Sequence, residues 1–412
     1  MKILHVNYSE SSGGAAIAAN RLHKALLKNG VASKMLVCEK NTDDPTIIGP
    51  ANKWKKYSHK LMNFISSKIL ELQKTNNPIL HSLNIFPSGL NNVINSMDVD
   101  IVHLHWVNAE MISIKEIAKI NKPIVWTLHD SWAFCGAEHH PAIGNDTRYT
   151  EGYTNNNQNA GDAGINFNRW IWKQKTKAWA DFPLNIVCPS RWLYGNCKNS
   201  YLFRNKNVYN IPNCISTDDF SPMDKAIARE LIGDLPQNKK YILFGAANAT
   251  SHPLKGYNYL NKALDGLDKS SNIELLVFGS SDAGVDLQMN IKTRMLSYFH
   301  DDVSLKLLYN AADVFVAPSM QENLSNVIME SLACGTPVVA FDIGGNSDMI
   351  KHKVNGYLAK PFETADLANG IEWLLDNSEY NQLSASARKT VEENFSEKFI
   401  VEKYTQLYKQ IL

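Results

Sequence analysis

Residues 313–348 read DVFVAPSMQENLSNVIMESLACGTPVVAFDIGGNSD. Val314 to Ala317 is an apolar run of strand length, and Pro318-Ser319 breaks it. A polar loop carrying Glu322 follows. From about Ser325 the apolar positions Val327, Ile328, Leu332 and Ala333 recur at helical spacing, and the pattern ends at Gly335 before Pro337. Val338 to Phe341 is the next strand, and Gly344-Gly345 a second loop. Strand, loop, helix and strand in this order form one unit of an α/β sheet, in which ligands sit beyond the carboxyl ends of the strands.

The two acids give this unit its chemistry. Glu322 lies in the loop just before the helix, and Glu330 lies about two turns inside it. The backbone N–H groups from Leu324 to Val327 have no helical acceptors and face the loop, which suits a phosphate. Asn323, Leu324, Ser325 and Asn326 are therefore the expected rim of an anion site. A carboxylate in the loop accepts from sugar hydroxyls, and one on the same side of the helix takes both hydroxyls of a ribose. Phosphate, hexose and ribose together describe a nucleotide sugar. Two glutamates at this spacing also fit a solvated helix face; the flanking PS and ACGTPVV are what favour a site.

With these flanks, the E-x7-E spacing from Glu322 to Glu330 resembles the signature of retaining glycosyltransferases of family 4. The resemblance extends over nearly the whole chain. It implies an α/β GT-B fold: two Rossmann-like domains facing across a cleft, with a C-terminal helix crossing back to the first. It implies transfer of a sugar from a UDP- or GDP-sugar to a glycan hydroxyl, with retention of configuration. In that picture the leaving phosphate takes the acceptor proton, and catalysis is positioning plus charge stabilisation. Glu322 would hold the sugar and Glu330 the ribose. No metal or other cofactor is expected, the nucleotide sugar being a co-substrate. By family analogy the acceptor is a lipid-linked oligosaccharide of a bacterial surface polysaccharide such as O-antigen, colanic acid or capsule.

Upstream, Tyr241 to Gly245 (YILFG) opens the same half of the chain. Most family members follow it with an arginine and, some residues later, a lysine, both facing the donor diphosphate. Here Ala246 holds the arginine's place, while Lys255-Gly256 matches the lysine. One cation and a helix N-terminus must then hold the pyrophosphate, unless Lys351, Arg294 or Arg191 swings in. Ile273 to Gly279 is another strand, and Ser280 and Gly245 join the expected donor residues.

The first half begins with a strand, Lys2 to Asn7, a Ser/Gly loop, and a helix from Ala15 to Leu27 closed by Gly30. Gly13-Gly14 fits both a tight turn and a loop that lets backbone approach a diphosphate; the resemblance assigns it to the donor. Asp98-Val99-Asp100 precedes a strand rather than ending one, so it is read as a turn and not a metal motif. Ile124 to His129 is a further strand, and His129 at its carboxyl end can bond a sugar hydroxyl or phosphate. The family carries a similar histidine beside the donor sugar, so catalytic roles are expected for Glu322, Lys255 and His129. Asp130 is expected to orient that ring or meet the acceptor. Residues 136–168 show little periodicity and are read as a functional loop, with Glu138, His139, Arg148 and Tyr149 as acceptor contacts. The domain that binds acceptor is expected at 1–210 with the helix 395–412, and the donor domain at 211–394.

Size and composition agree with this outline. A chain of 412 residues exceeds one compact core, and 44% hydrophobic with 20% charged residues is ordinary for a globular protein. The net charge of +1 gives no reason to expect nucleic acid. Six scattered cysteines without a CxxC pair fit a reducing compartment. No apolar run reaches membrane-spanning length and the N-terminus lacks a long apolar h-region, so a cytoplasmic protein is expected. Residues 51–75 hold six lysines against one glutamate, interleaved with Trp54, Leu61, Phe64 and Ile65. Two readings stand for them: a helix packed on the sheet with solvated lysines, or a basic amphipathic helix on the inner face of an anionic membrane. Three rival functions remain on sequence: a GT-B epimerase, a phosphorylase-like enzyme, for which no cofactor lysine is evident, and an inactive partner subunit, favoured only by Ala246.

Overall fold

The computed structural model describes residues 1–144, 146–233, 235–245, 252–267, 272–279, 291–296, 298–299 and 301–412. The chain divides into two compact units, Met1–Pro212 with Val401–Leu412, and Asn213–Ile400. Each unit is built on a parallel sheet.

In the first unit the strands are β1 (Lys2–Ser9), β2 (Ala32–Glu39), β3 (Ile47–Ile48), β4 (Ile101–Leu104), β5 (Ile124–Thr127), β6 (Asn185–Cys188) and β7 (Asn207–Asn210). They lie in the order β3-β2-β1-β4-β5-β6-β7, with every pairing parallel. A parallel sheet needs cover on both faces, and the alternation along β1 shows how it is met. Leu4 and Val6 enter a core shared with Trp126, Trp132, Phe134, Trp179 and Phe203. Ile3, His5 and Asn7 face the other way and are equally buried. That second face lies under α1 (Gly14–Lys28), whose alanines at 16, 19 and 25 let its backbone come close. It is also covered by the last helix, whose Tyr404 and Tyr408 bond Thr127 and His103. Two further helices of this unit matter below, α2 (Lys53–Leu70) and α3 (Phe167–Trp179).

The second unit contains β8 (Lys240–Gly245), β9 (Ile273–Phe278), β10 (Lys292–Met295), β11 (Val314–Ala317), β12 (Val338–Phe341) and β13 (Gly356–Ala359), ordered β10-β9-β8-β11-β12-β13. All its pairings are parallel as well. Its helices include α4 (Tyr257–Asp265), α5 (Asp302–Ala311) and α6 (Asn326–Ala333); α7 (Glu397–Ile411) is the terminal one. In both sheets the strand order reverses beside the first strand, at β1/β4 and at β8/β11. Such a switch point splays the loops apart and leaves room for a ligand.

The unit read first from sequence folds as that reading describes. β11 spans Val314–Ala317, Ser325 is the N-cap of α6, and the helix stops at Gly335, whose φ of +77° suits glycine. Asp313, just before β11, is 6% exposed. It accepts from Arg229 Nη2 at 2.8 Å, Lys225 Nζ at 2.7 Å and the Tyr241 N–H at 2.7 Å. Two cations and an amide offset the cost of burying that carboxylate, and they fix the start of β11 against β8.

Candidate active site

Lys255 and Glu322 come together beyond the carboxyl ends of β8 and β11. Lys255 closes a 3-10 turn, Pro253–Lys255, and Gly256 follows with φ +73°. A Cβ on Gly256 would lie 1.8 Å from the Pro318 carbonyl oxygen, so only glycine lets this turn approach the loop after β11. The Met320 N–H donates to the Leu254 carbonyl at 2.8 Å and ties the two segments. Lys255 Nζ then stands 3.1 Å from Glu322 Oε2, with the side chains 27% and 17% exposed, within reach of a ligand. A third segment holds the acid from behind. Gly344 has φ +53°, and a Cβ there would sit 1.8 Å from the Glu322 carbonyl oxygen. The Gly345 N–H donates to that same oxygen at 3.4 Å.

The amino end of α6 completes this half of the site. Ser325 caps it without a side-chain hydrogen bond. By contrast, Ser190 caps its own helix by accepting from the Leu193 N–H at 3.0 Å. Asn323, Leu324 and Ser325 are buried, and Asn326 and Val327 are half-buried. The helix dipole and the amides of its first turn therefore favour an anion here. Cation, carboxylate and amide end form a surface that can neutralise a diphosphate and bind hydroxyls.

Glu330 is 3% exposed, and its Oε2 accepts from the Tyr309 hydroxyl at 2.8 Å. Tyr309, on α5, did not emerge from the sequence. Its relation to Glu330 comes only from the packing of α5 on α6, and no local pattern signals it. Gly245 ends β8 against the Phe278 ring, 2.1 Å from where a Cβ would be. Ala246 and Ser280 lie outside the described residues. Of the cations expected to replace the family arginine, Arg294 is committed elsewhere, its Nε donating to Glu274 at 2.8 Å. Burial would raise the Glu274 carboxyl, but Lys239, Arg294 and Lys292 outweigh it and bring it down to about 2. Lys351 and Arg191 are exposed.

In the first unit, His129 lies two residues past β5 and is half-buried. Its Nε2 is 3.1 Å from Nδ1 of His105. Burial lowers its basicity to about 4, against the opposing pull of Asp130, so the ring is neutral near pH 7. Gly13, with φ +91°, and Gly14 start α1 after the exposed Ser11 and Ser12. Glu10 anchors this loop by accepting from the Asn41 N–H at 2.8 Å and the Thr42 N–H at 3.1 Å. Asp130 accepts from the Trp132 N–H at 2.9 Å, Trp106 Nε1 at 3.0 Å and His139 Nδ1 at 2.6 Å. Burial alone would raise its carboxyl; the neighbouring His139 and His140 and the Trp132 N–H hold it well below the usual range.

The segment 136–168, read as a functional loop, carries short pieces of regular structure. It holds a helical turn, Arg148–Glu151, and a short strand, Ala163–Gly164, antiparallel to Gln73–Lys74. Glu138 is fully buried, facing Arg148 Nη2 at 3.3 Å and accepting from the Tyr153 hydroxyl at 2.5 Å. Arg148 also donates to Asp146 at 2.7 Å, and His139 is 3% exposed, bonded to Ser82 Oγ at 2.8 Å. Glu138, His139 and Arg148 thus sit inside, where an ionic cluster takes the place of apolar packing. As placed they hold the loop, and none of the three offers the surface that an acceptor contact requires. Tyr149 is half-buried and donates to Asn196 at 3.2 Å. From α3, the fully buried Lys175 donates to the carbonyls of Trp132, Cys135 (3.2 Å) and Gly136 (2.7 Å). Desolvation brings its ammonium down to about 7.

Asp98 and Asp100 meet Lys2 at the amino end of β4. Among the described residues one trio, His5, His103 and His105, has potential ligand atoms within 4.8 Å of one another.

Comparison with known proteins places this geometry in context. A family model described as Glycosyltransferase Family 4 matches residues 12–219. A second, described as Glycosyl transferases group 1, matches residues 229–390. The chain is 32% identical over 163 residues to an uncharacterized glycosyltransferase, MJ1607, of Methanocaldococcus jannaschii, covering 38% of this chain and 42% of that protein. It is 27% identical over 210 residues to the UDP-Gal:alpha-D-GlcNAc-diphosphoundecaprenol alpha-1,3-galactosyltransferase of Escherichia coli, covering 48% and 53%. The chain thus spans about half the length of these curated relatives. Among solved structures, Anabaena HepE in complex with UDP-glucose is similar with a TM-score of 0.65 and 16% identity, over 100% of both chains. A likeness at that identity carries the fold, which is GT-B, with two Rossmann-like units.

Proposed function

The chain belongs to Glycosyltransferase Family 4, and from that premise we propose that it transfers a glycosyl group from a nucleoside-diphosphate sugar to a hydroxyl of a glycan. The observation that carries the proposal is the Lys255–Glu322 contact at the amino end of α6. Lys255 and the amides after Glu322 stabilise the charge that develops on the departing diphosphate. Glu322 bonds the sugar hydroxyls, Glu330 the ribose, and His129 the sugar or its phosphate. Gly13 and Gly14 bring backbone to the donor. The second unit binds the donor and the first the acceptor, with Asp130 and Tyr149 as the acceptor contacts that keep some exposure. Attack on the face the diphosphate leaves, with that phosphate taking the acceptor proton, gives retention without a protein base. The E. coli relative's name includes a diphosphoundecaprenol-linked sugar, and we extend that acceptor class, a lipid-linked surface glycan, to this chain.

A thermal-shift panel of UDP-, GDP- and ADP-sugars tests the donor. A sugar nucleotide at 100 times its Kd stabilises the native state by about 2.7 kcal/mol, so one base is expected to raise the melting midpoint clearly above the others. Product analysis with that donor and a glycan acceptor then reads the anomeric outcome. No shift with any of the three, together with no transfer, would sink the proposal; donor isomerised without acceptor would make it an epimerase instead.

The acceptor's membrane origin accords with α2. Trp54, Tyr57, Leu61 and Phe64 recur at helical spacing and are 83%, 64%, 53% and 59% exposed, while Ser66 on another side is buried. Lys60 and Lys68 are exposed on the same helix. No helix among the described residues is long and apolar enough to cross a membrane. An outward apolar stripe with basic neighbours lies in the headgroup layer of an anionic bilayer, each lysine adding about 1 kcal/mol. Wild-type protein is expected to sediment with phosphatidylglycerol vesicles and the Trp54→Glu/Phe64→Glu double variant to stay in the supernatant. Equal sedimentation of the two would remove the membrane from the proposal.

A further inference from the structure

The histidines of the first sheet form a connected row. Parallel pairing of β1 with β4 sets His5 beside His103. His105, two residues along, falls on the same face because side chains alternate with period two. His129 stands beyond the neighbouring strand on that face as well. His5 Nδ1 is 2.9 Å from His105 Nε2, and His105 Nδ1 is 3.1 Å from His129 Nε2. His103 is not part of this line: its Nδ1 bonds the Tyr408 hydroxyl at 2.7 Å and its Nε2 the Thr127 hydroxyl at 2.7 Å. Its ring stacks on His105 at 4.2 Å between centroids and so holds it from the side. With both nitrogens of His103 engaged and His5 bonded directly to His105, the trio is organised by hydrogen bonds rather than around an ion.

The proton positions in the row follow from its inner end. Burial and mutual repulsion lower the basicity of His5 and His105 well below the ordinary histidine value, so each ring carries one N–H. Two hydrogen bonds joining three neutral rings must point the same way along the row. At the inner end, His5 Nε2 is buried with no partner among the described residues. A buried N–H without an acceptor is among the rarest defects in folded proteins, and an unused lone pair is better tolerated. The His5 proton therefore resides on Nδ1 and is donated to His105. His105 then carries its own proton on Nδ1 and donates it to Nε2 of His129.

We propose that His105, oriented by His5, is a positioning residue that fixes His129 as the Nδ1–H tautomer and takes up its only lone pair. This rests on the role for His129 in sugar transfer proposed above, and deepens it. A His129 held so has no ring lone pair left with which to accept a proton, which leaves the leaving phosphate as the acceptor of the nucleophile's proton. His5 and His105 touch no substrate; their effect reaches the reaction through the tautomer and ring plane of His129.

The test is the ring nitrogen spectrum of His129 in protein labelled with nitrogen-15 histidine, its signals identified by their loss in His129→Asn. In the wild type, Nδ1 is expected to show the pyrrole-like shift of a protonated nitrogen and Nε2 the pyridine-like shift of a bare one. His105→Phe keeps the volume but removes the donor; the His129 proton is then expected to populate Nε2, and kcat to fall roughly 10- to 100-fold with the donor KM little changed. His105→Asn, which returns an amide N–H near the Nδ1 position, is expected to restore the tautomer and most of the turnover. A wild-type His129 protonated on Nε2 overturns the proposal, and that reading needs no variant to fold. So does a His105→Phe protein whose His129 tautomer is unchanged. If His129→Ala transfers sugar normally while the wild-type tautomer is as expected, the role of His129 in transfer fails and its positioning by His105 stands.

Discussion

In a Lys255→Ala variant, sugar transfer is expected to fall roughly 10²- to 10³-fold, the loss typical of removing one preorganised charge from a site of developing charge. The fall should be mainly in kcat, because the lysine acts most strongly on the diphosphate as it departs. Stability should change by about 1 kcal/mol or less, since the Lys255–Glu322 pair is partly exposed and water can take over the freed carboxylate. Glu322→Gln keeps the shape of the side chain while removing its charge, and is expected to abolish transfer with the fold intact. Steady-state kinetics beside a urea melt read both quantities. Because Ala246 stands where the family has an arginine, the proposed site makes Lys255 the cation on which the diphosphate is expected to depend most. Near-normal turnover in either variant would remove the site assignment and leave the fold untouched.

Gly344→Ala is expected to damage both stability and activity although it adds one methyl group far from Lys255 in sequence. The backbone there has φ +53°, which costs a non-glycine residue about 1–2 kcal/mol. More severely, the new Cβ would lie 1.8 Å from the Glu322 carbonyl oxygen, so the loop carrying the acid must move. A shift of about 1 Å in a positioning group can cost roughly 10²-fold in rate. Gly30→Ala is the control: its φ is +77°, with nothing within 4 Å of the added atom. It should show the conformational penalty alone and normal turnover. Equal turnover in the two variants would mean that Gly344 does not set the position of Glu322.

Much of the second unit was legible because its signals are local. The β11–α6–β12 unit declares itself through a strand-length apolar run, a helical period and a glycine stop. Each arises from contacts between residues a few positions apart, so the one-dimensional pattern carries them. The spacing of Glu322 and Glu330 belongs to the same kind: it fixes one acid ahead of the helix and the other within it. In residues 136–168 the burial of Glu138, His139 and Arg148 was not legible, for the complementary reason. Their polar composition looks like a solvated loop, and nothing local reveals that Glu138, Arg148, Asp146 and Lys175 bury one another's charge. Likewise the lysines of 51–75 announce a basic helix, but which of its sides is left uncovered depends on the rest of the unit.

By itself, then, the sequence determined an α/β chain of two Rossmann-like halves and singled out the acids and lysine proposed here for a nucleotide-sugar site. Tertiary structure alone decided which distant groups meet. Lys255 reaches Glu322 across 67 positions, Tyr309 reaches Glu330 across 21, and His5 reaches His105 across 100. In a parallel sheet each strand is separated from its neighbour by a crossover, so adjacency across the sheet is set by strand order and register and leaves no periodic trace in the chain. Whether a polar side chain ends inside or outside depends in turn on whether those neighbours can replace the hydrogen bonds it gives up to water.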